Sequence, residues 1–338
     1  MDPLLIFDMT WRRHDRRLDV HRDGFRMRTL VVGAGGIGGY FGGRLLEAGR
    51  DVTFLVRPGR AAQLAAHGLT IESPHGKFHK PAPPTVQANE LAEYFDLVLL
   101  SCKAYDLDDA IRSSAPAVGP ETTVLPMLNG MRHIEMLTER FGSRAVLGGL
   151  CVIASTLGPD GRILHLNDLH SMSFGERDGS ASSRTKAIAD EFSGARFDAT
   201  LTGTITQEMW EKWVFIATLA GATSLMRSSV GDIEAAGGAP LVLALLDECA
   251  AIAAEWGFAP REAALERSRT NFTTPGSSLT ASMYRDIERG GRTEGEHILG
   301  DLLRRQRGTQ RVDSILRTAY THVATHEVRR TRLEAERG

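Results

Sequence analysis

A glycine-rich hexapeptide is the first segment of the sequence with a chemical signature. Gly33-Ala34-Gly35-Gly36-Ile37-Gly38 matches G-x-G-x-x-G, a spacing that permits a tight turn, backbone access for a pyrophosphate and close packing of helix on strand. A strand-like run precedes it and a helical pattern follows. The residues predicted to bind dinucleotide phosphates there are Gly33, Gly35, Gly36, Ile37 and Gly38. A purely structural glycine-rich turn is the alternative.

Basic residues follow the second predicted strand, in the run Leu55-Val56-Arg57-Pro58-Gly59-Arg60. An NAD-specific protein carries Asp or Glu near this point to bind the ribose 2′-hydroxyl. Arg57 would instead pair with a 2′-phosphate, which a carboxylate would repel. The sequence therefore predicts NADP(H) as the cofactor. The alternative is that Arg57 and Arg60 are solvated surface charges.

Lys212 begins an apolar helical run, residues 213–222, and is a candidate proton donor. Burial disfavours the charged form of an amine, which lowers its pKa towards the range useful for proton transfer. The alternative is a lysine with a buried stem that pairs with Glu208. The residues alone leave both interpretations open.

Two polar residues follow predicted strands of a parallel sheet. Lys103 follows the strand at residues 97–101, and Asn129, in an Asn-Gly turn, follows the strand at residues 123–125. Open α/β folds bind ligands at the carboxyl ends of their strands, which favours a binding role for both. A structural turn at Asn129 is the alternative.

The elements that must position these residues follow from the hydrophobic pattern. Strand and helix patterns alternate from Arg28 onward and predict an α/β fold with a Rossmann-type doubly wound sheet. Residues 151–176, with a turn at 158–161, are predicted to add an antiparallel edge to that sheet. The predicted strands are 29–32, 52–56, 97–101, 123–125 and 145–147, and the predicted helices are 37–48, 60–67, 107–113 and 134–141.

Strand signals end after Thr206, so a mainly α-helical C-terminal domain is predicted. Residues 1–26 lack both a helical or strand period and the apolar core of a signal peptide. They are expected to be a disordered arm or a mis-assigned start. Residues 27–200 are expected to form the NADP-binding Rossmann domain, and residues 201–330 the helical domain for substrate and catalysis.

Five segments in order resemble the ketopantoate reductase (2-dehydropantoate 2-reductase) family, from Met27 to around Tyr320. They are VVGAGGIGGYFGGRL at the start, LSCKAYD with Lys103, NGM from Asn129, MWEKW with Lys212, and SMYRD from Ser282 followed by RTE ending at Glu294. The resemblance implies NADPH-dependent reduction of a 2-oxo acid to a 2-hydroxy acid, as in the conversion of 2-dehydropantoate to pantoate in pantothenate biosynthesis.

The resemblance also implies residue roles. Lys212 would protonate the carbonyl oxygen as hydride arrives, and Glu294 would assist the acid-base chemistry. Asn129 and Ser282 would hold the substrate, with Asn129 also near the cofactor. Lys103 would lie near cofactor and substrate. Arg57 would be the 2′-phosphate ligand.

The sequence departs from the family on the helix of Lys212. Four and eight residues after that lysine the family commonly carries asparagines, whereas this chain carries Ile216 and Ala220. Both positions are expected to line the substrate pocket on the lysine's face of the helix. The substrate is therefore either ketopantoate or a less polar keto compound. A dehydrogenase working towards oxidation and a catalytically silent NADP-binding protein are also compatible with the sequence.

The composition favours a small-molecule keto substrate as partner. With 40 basic and 42 acidic residues the net charge is -2, which gives no argument for binding nucleic acid or a membrane surface. The chain has no uncharged apolar run of about 20 residues, so a soluble protein is expected. Three separated cysteines favour the reducing cytoplasm over a disulfide framework. No metal site is expected, His165 and His170 included, and a homodimer stays open.

Overall fold

The computed structural model describes residues 26–308 and 313–336, so residues 1–25 of the predicted arm or mis-assigned start lie outside the described residues. The strands of the described part are β1 (Arg28–Val32), β2 (Asp51–Leu55), β3 (Leu69–Glu72), β4 (Phe78–Lys80), β5 (Thr85–Val86), β6 (Leu97–Leu100), β7 (Thr123–Pro126), β8 (Gly148–Leu157), β9 (Ile163–Gly175) and β10 (Asp198–Leu201). The helices are α1 (Gly36–Glu47), α2 (Pro58–His67), α3 (Leu107–Ser114), α4 (Arg132–Phe141), α5 (Ser183–Phe192), α6 (Ile205–Met226), α7 (Val230–Ala235), α8 (Ala239–Glu255), α9 (Glu262–Phe272), α10 (Ser282–Glu288), α11 (Asp301–Arg305) and α12 (Ile315–Ala335).

The first sheet is parallel and has the strand order β5-β2-β1-β6-β7. All four residues of β6 and all four of β7 are buried, as expected for strands covered on both faces. The chain leaves β1 towards β2 on one side and later returns to β6 on the other. The strand order therefore reverses between β1 and β6, where doubly wound sheets open a crevice. The predicted Rossmann-type sheet is confirmed.

The prediction that residues 151–176 form an edge of this sheet is wrong. β8 and β9 do pair antiparallel, but they belong to a second sheet with the path β10-β9-β3-β4, in which β8 pairs with β9. Ile71 of β3 lies opposite Ile163 of β9, and the two strands run parallel. The predicted strand at 145–147 meets the first sheet through one bridge, between Val124 and Val146. The buried apolar side chains of β9 share one core with α1 and with residues of the first sheet.

Helix α1 lies between the two sheets, and its glycines allow both to approach. A methyl group at Gly42 would lie 2.6 Å from the ring of Phe54 in β2. A methyl group at Gly39 would lie 2.5 Å from Ile163 in β9. Both distances are shorter than a β-carbon tolerates. Glycine therefore lets α1 contact both layers while its N-terminus stays at the carboxyl end of β1.

The C-terminal half is helical, as predicted, and is organised around α6. This helix has 22 residues and buries most of its circumference against α8, α10 and α12, as expected for a helix that is apolar nearly all round. The Trp213 Nε1–H donates to the Ile298 carbonyl at 2.9 Å. Ile298 lies in a π-helical turn, Glu296–Gly300, that leads into α11. The hydrogen bond ties α6 to the segment that follows Glu294.

Gly38→Ala is expected to destabilise the fold, because the added methyl group would overlap the Ser101 hydroxyl and the Gly33 carbonyl oxygen. Overpacking of this kind typically costs about 1–3 kcal/mol in the free energy of unfolding. Urea denaturation measures that loss. Gly35→Ala is the matched control, since a methyl group there meets no atom within 4 Å. Equal stability of the two variants would contradict a packing role for Gly38.

Candidate active site

The carboxyl ends of β1, β2, β6 and β7 open into a cavity of about 1150 Å³, which α6 and α10 close from the opposite side. Except for Gly38, which is buried under the glycine turn, every residue predicted to take part in catalysis or to bind cofactor or substrate lines it. These residues are Gly33, Gly35, Gly36, Ile37, Arg57, Lys103, Asn129, Lys212, Ile216, Ala220, Ser282 and Glu294. The fold thus brings together positions that are up to 261 residues apart in the chain, from Gly33 to Glu294.

Lys212 extends from α6 towards the second sheet. Its Nζ donates to the Cys151 carbonyl oxygen of β8 at 2.7 Å. Burial lowers the pKa of Lys212, and the nearby Cys151 and Glu294 only partly oppose that shift. The alternative partner, Glu208, accepts hydrogen bonds from Thr202 and Thr204. The interpretation of Lys212 as a surface lysine paired with Glu208 is therefore wrong.

Lys103 and Glu294 form an ion pair between the two halves of the chain. Glu294 is 6% exposed; its Oε2 accepts from Lys103 Nζ at 3.1 Å and its Oε1 from the Ala104 N–H at 2.9 Å. Asp286 Oδ2 lies 3.6 Å from the same Nζ. Burial alone would lower the pKa of Lys103, but Glu294 and Asp286 together raise it. Lys103 thus stays charged, and Glu294 contacts Lys103 rather than Lys212.

The polar groups on either side of this ion pair are free to bind a ligand. Gly130 has φ +79°, so the predicted Asn-Gly turn after β7 is present and holds Asn129 at the cavity. No hydrogen bond joins the side chain of Asn129 or of Ser282 to another described residue. Their amide and hydroxyl groups face the same cavity as Lys212.

The wall beside Lys212 is apolar. Ile216 and Ala220 line the cavity, as helical spacing predicted, and Phe215 and Leu219 extend the same wall. One turn further on, Thr223 does not line the cavity, and its hydroxyl donates to the Leu219 carbonyl and accepts from the Ala281 N–H. Thr223 therefore does not replace the amides that this wall lacks.

Two residues of the site were missed by the sequence reasoning, although both stand in the quoted segment SMYRD. Asp286 contacts Lys103, and burial raises the pKa of its carboxyl group against the opposing effect of that lysine. Arg285 lines the cavity three residues after Ser282. That helical spacing from Ser282 is the signal that could have found Arg285. The partner of Asp286 lies too far along the chain to be read from local spacing.

The two arginines after β2 have different surroundings. An Arg57 guanidinium nitrogen lies 2.9 Å from Asp109 and 3.2 Å from Asp106, and these hydrogen bonds raise the pKa of Arg57. Arg60 instead donates to the Ala34 carbonyl at 3.0 Å and the Gly161 carbonyl at 3.0 Å. Burial lowers the pKa of Arg60. Arg60 is therefore not a solvated surface charge, because its guanidinium group is hydrogen-bonded to the glycine turn at Ala34 and to Gly161.

The residues around the glycine turn fit a dinucleotide. A side chain at Gly35 would find open space, so a phosphate can approach the backbone at the N-terminus of α1. One guanidinium nitrogen of Arg60, Nη2, is buried without a hydrogen-bond partner beside this turn. Arg57 lies at the carboxyl end of β2, where a ribose 2′-phosphate would lie.

Two family models match the chain. The ketopantoate reductase PanE/ApbA model matches residues 29–179, and the model of the C-terminal part of ketopantoate reductase PanE/ApbA matches residues 204–327. The chain belongs to the ketopantoate reductase family. As a member it is an NADP-dependent oxidoreductase with NADP(H) as cofactor, and enzymes of this family act on small-molecule keto substrates. The predicted family, enzyme class and cofactor are confirmed.

Proteins similar to this chain carry different functional names. The uncharacterized oxidoreductase YkpB of Bacillus subtilis is 38% identical over 302 residues, which cover 89% of this chain and 99% of YkpB. The crystal structure of 2-dehydropantoate 2-reductase from Methylococcus capsulatus is 28% identical, with TM-score 0.79 over 90% of this chain and 98% of that one. A D-mandelate dehydrogenase with NADH and anilino(oxo)acetate has TM-score 0.81 at 20% identity, covering 90% and 100%, a likeness of fold alone.

Two further features concern the described residues only. Within residues 26–308 and 313–336, no helix combines the length and apolar character needed to cross a membrane. The same residues hold no group of three or more His, Cys, Asp or Glu side chains arranged to bind a metal ion. The Cys102, Cys151 and Cys249 thiols are free, and burial raises the pKa of each.

Arg57→Ala is expected to weaken NADPH binding by about 10- to 100-fold, the usual worth of a charge-assisted hydrogen bond, and to leave NADH binding nearly unchanged. Asp109→Asn should act in the opposite direction, because Asp109 competes with a 2′-phosphate for the Arg57 guanidinium. A gain of about 2- to 5-fold in NADPH affinity matches the loss of one exposed ion pair. Fluorescence titration with both cofactors measures these changes, and an unchanged cofactor preference in Arg57→Ala would refute the assignment.

Proposed function

We propose that this protein reduces a 2-oxo acid with an apolar side chain to the corresponding 2-hydroxy acid, with NADPH as the reductant. The observation that carries the proposal is the position of Lys212, whose partly buried side chain lies in one cavity with the glycine turn and the apolar wall of Ile216 and Ala220. A proton donor, a dinucleotide site and an apolar substrate wall therefore share one space.

Lys212 would act as the general acid. When bound, NADPH supplies the hydride that reduces the substrate carbonyl carbon. The charge that develops on the carbonyl oxygen needs a proton, and a lysine with a pKa lowered by burial gives up its proton more readily than a solvated one. The hydrogen bond from Nζ to the Cys151 carbonyl leaves two of the three ammonium protons for the substrate.

The other polar residues would orient the substrate and hold the loop after β6. Asn129 and Ser282 have side chains free for hydrogen bonds at the cavity, which suits them to bind the oxygen atoms of a 2-oxo acid. Glu294 holds both the Lys103 ammonium group and the Ala104 N–H. That pair of contacts keeps the carboxyl end of β6 facing the C-terminal half. Glu294 would therefore support acid-base chemistry by fixing this loop and the local charge.

The apolar wall opposes ketopantoate as the preferred substrate. Ketopantoate carries a hydroxyl group on its side chain, and neither Ile216 nor Ala220 can accept or donate a hydrogen bond. A buried polar group without a partner costs roughly 1–3 kcal/mol. A 2-oxo acid with a hydrocarbon side chain does not incur that cost, and it gains from apolar contact with the wall.

Substrate preference is tested by comparing phenylpyruvate with ketopantoate, by NADPH absorbance. We expect kcat/KM to be higher for phenylpyruvate, because its side chain suits the apolar wall. The double variant Ile216→Asn, Ala220→Asn should shift the ratio of kcat/KM towards ketopantoate by about tenfold or more, in line with one regained buried hydrogen bond. Wild-type kcat/KM for ketopantoate of about 10⁴ M⁻¹s⁻¹ or above would overturn the apolar preference. Tight NADPH binding without turnover of any 2-oxo acid would favour a catalytically silent protein.

Lys212→Met is expected to lower kcat by about 10²- to 10⁴-fold, the usual contribution of general acid catalysis, because methionine keeps the volume but has no proton to give. NADPH affinity should stay within about twofold, since Lys212 is not a phosphate contact in this assignment. The wild-type kcat should fall as pH rises through the lowered pKa of Lys212, because only the protonated amine is an acid. A near-normal kcat in Lys212→Met would remove this residue from the mechanism.

A further inference from the structure

We propose that Arg285 binds the carboxylate of the substrate, an inference that rests on the proposed 2-oxo acid reduction. Arg285 lies in α10, lines the same cavity as Lys212 and Ser282, and is half-buried. This gives a specificity-determining role to Arg285, which has no role in the proposed cofactor site, in the Lys103–Glu294 ion pair or in proton donation.

The hydrogen-bond partners of Arg285 are neutral. Its Nη1 donates to the Thr280 carbonyl at 3.1 Å and to the Thr280 hydroxyl at 3.0 Å. No carboxylate of the described residues lies within ion-pair distance of this guanidinium. The neighbouring Asp286 faces Lys103 instead. The remaining N–H groups of Arg285 are therefore left for an anion in the cavity.

Partial burial disfavours the charged form of Arg285. It lowers the pKa of Arg285, and the positive charge of Arg289 adds to that effect against the attraction of Asp286. A partly desolvated charge with only neutral partners is unfavourable until an opposite charge arrives. An anionic ligand would supply that charge, and a planar carboxylate matches the fork of a guanidinium.

Of the other cations that line the cavity, Arg289 is exposed to solvent and the rest are already engaged. Lys103 is neutralised by Glu294 and Asp286, and Arg57 by Asp106 and Asp109 at the opposite, β2 end. Arg60 donates hydrogen bonds to the Ala34 carbonyl group in the glycine turn and to the Gly161 carbonyl group. Lys212 has the proton-donor role. Arg285 is thus the half-buried cation whose charge has no assigned partner on the substrate side of the cavity.

The spacing within α10 fits one ligand group. Ser282 and Arg285 are three residues apart, so both lie on one face of the helix and both reach the cavity. A carboxylate held by this pair would leave the rest of the substrate to extend along α6. Its keto oxygen would then face Lys212 and its side chain the wall of Ile216 and Ala220. The substrate class is therefore a monocarboxylic 2-oxo acid with an apolar side chain.

Two substrates that differ only in charge test the inference. Phenylpyruvate carries the carboxylate, whereas phenylpyruvamide has a neutral amide in its place. In Arg285→Gln, KM for phenylpyruvate should rise by about 10- to 100-fold, the usual loss of a charge-assisted contact, while KM for phenylpyruvamide changes less than about threefold. Arg285→Lys should recover part of the affinity for phenylpyruvate, because the charge remains but the planar fork is lost.

Arg289→Gln is the matched control, because Arg289 has the same charge and lines the same cavity four residues further on, but is exposed to solvent where Arg285 is half-buried. It should raise KM for phenylpyruvate less than about threefold, as expected for a screened charge. An equal effect of Arg285→Gln on both substrates, or an equal effect of Arg285→Gln and Arg289→Gln on phenylpyruvate, would overturn the assignment.

A binding measurement separates this inference from the proposed function. Anilino(oxo)acetate has the carboxylate of a 2-oxo acid and an amide carbonyl that resists reduction, so its affinity for the NADPH complex can be measured by calorimetry without turnover. Binding that weakens about 10- to 100-fold in Arg285→Gln supports the carboxylate site even if no 2-oxo acid is reduced. Unchanged binding in Arg285→Gln, with its melting temperature retained, overturns the site even if phenylpyruvate is reduced.

Discussion

The contact of helix α1 with two sheets at once is the constraint on which the rest of the molecule depends. A methyl group at Gly42 would collide with Phe54 on one side, and a methyl group at Gly43 would lie 2.6 Å from Ile71 on the other. Larger side chains at these positions would push α1 away from one of the two layers, and its N-terminus away from the carboxyl end of β1. The same contact brings β8 against the start of the helix, where the Ser155 carbonyl faces Gly36.

The position of β8 in turn defines the surroundings of the candidate acid. Cys151 lies in the half of this strand that is buried, and its carbonyl group reaches Lys212 on α6. A strand of the second sheet and a helix of the C-terminal half thus meet at one hydrogen bond. Removing water from this meeting point is what lowers the pKa of the lysine. The proton donor is therefore tuned by packing of elements from both halves.

The alternation of short strand-like runs with helical patterns was sufficient to predict the parallel sheet. The long apolar helix and the cavity-facing positions of Ile216 and Ala220 followed from the apolar run after Lys212 and from helical spacing. The second sheet could not be predicted in this way. Its strands β3 and β4 have four and three residues, and Ile71 finds its partner Ile163 far along the chain. Such pairings depend on the assembled fold and not on a local period.

The parts of the site that could not be predicted are contacts between residues far apart in the chain. The position after a predicted strand pointed to Lys103, and the family resemblance implied Glu294, but the ion pair between them joins residues 191 positions apart. The competition of Asp109 for Arg57 spans 52 positions. A sequence shows the type of each charge, whereas only the fold shows which charges neutralise one another. The residues left without a counter-charge become visible only at that stage.

The acceptor that holds Lys212 is a main-chain carbonyl group, and this has a consequence for how the family can diversify. Substitution of the Cys151 side chain leaves that oxygen in place, so sequence changes at this position do not remove the hydrogen-bond acceptor of Lys212. Ile216 and Ala220, one and two turns further along the same helix, have no such protection and contact the ligand space directly. The proton donor can therefore be retained during evolution while the residues of the adjoining wall change to fit other substrates.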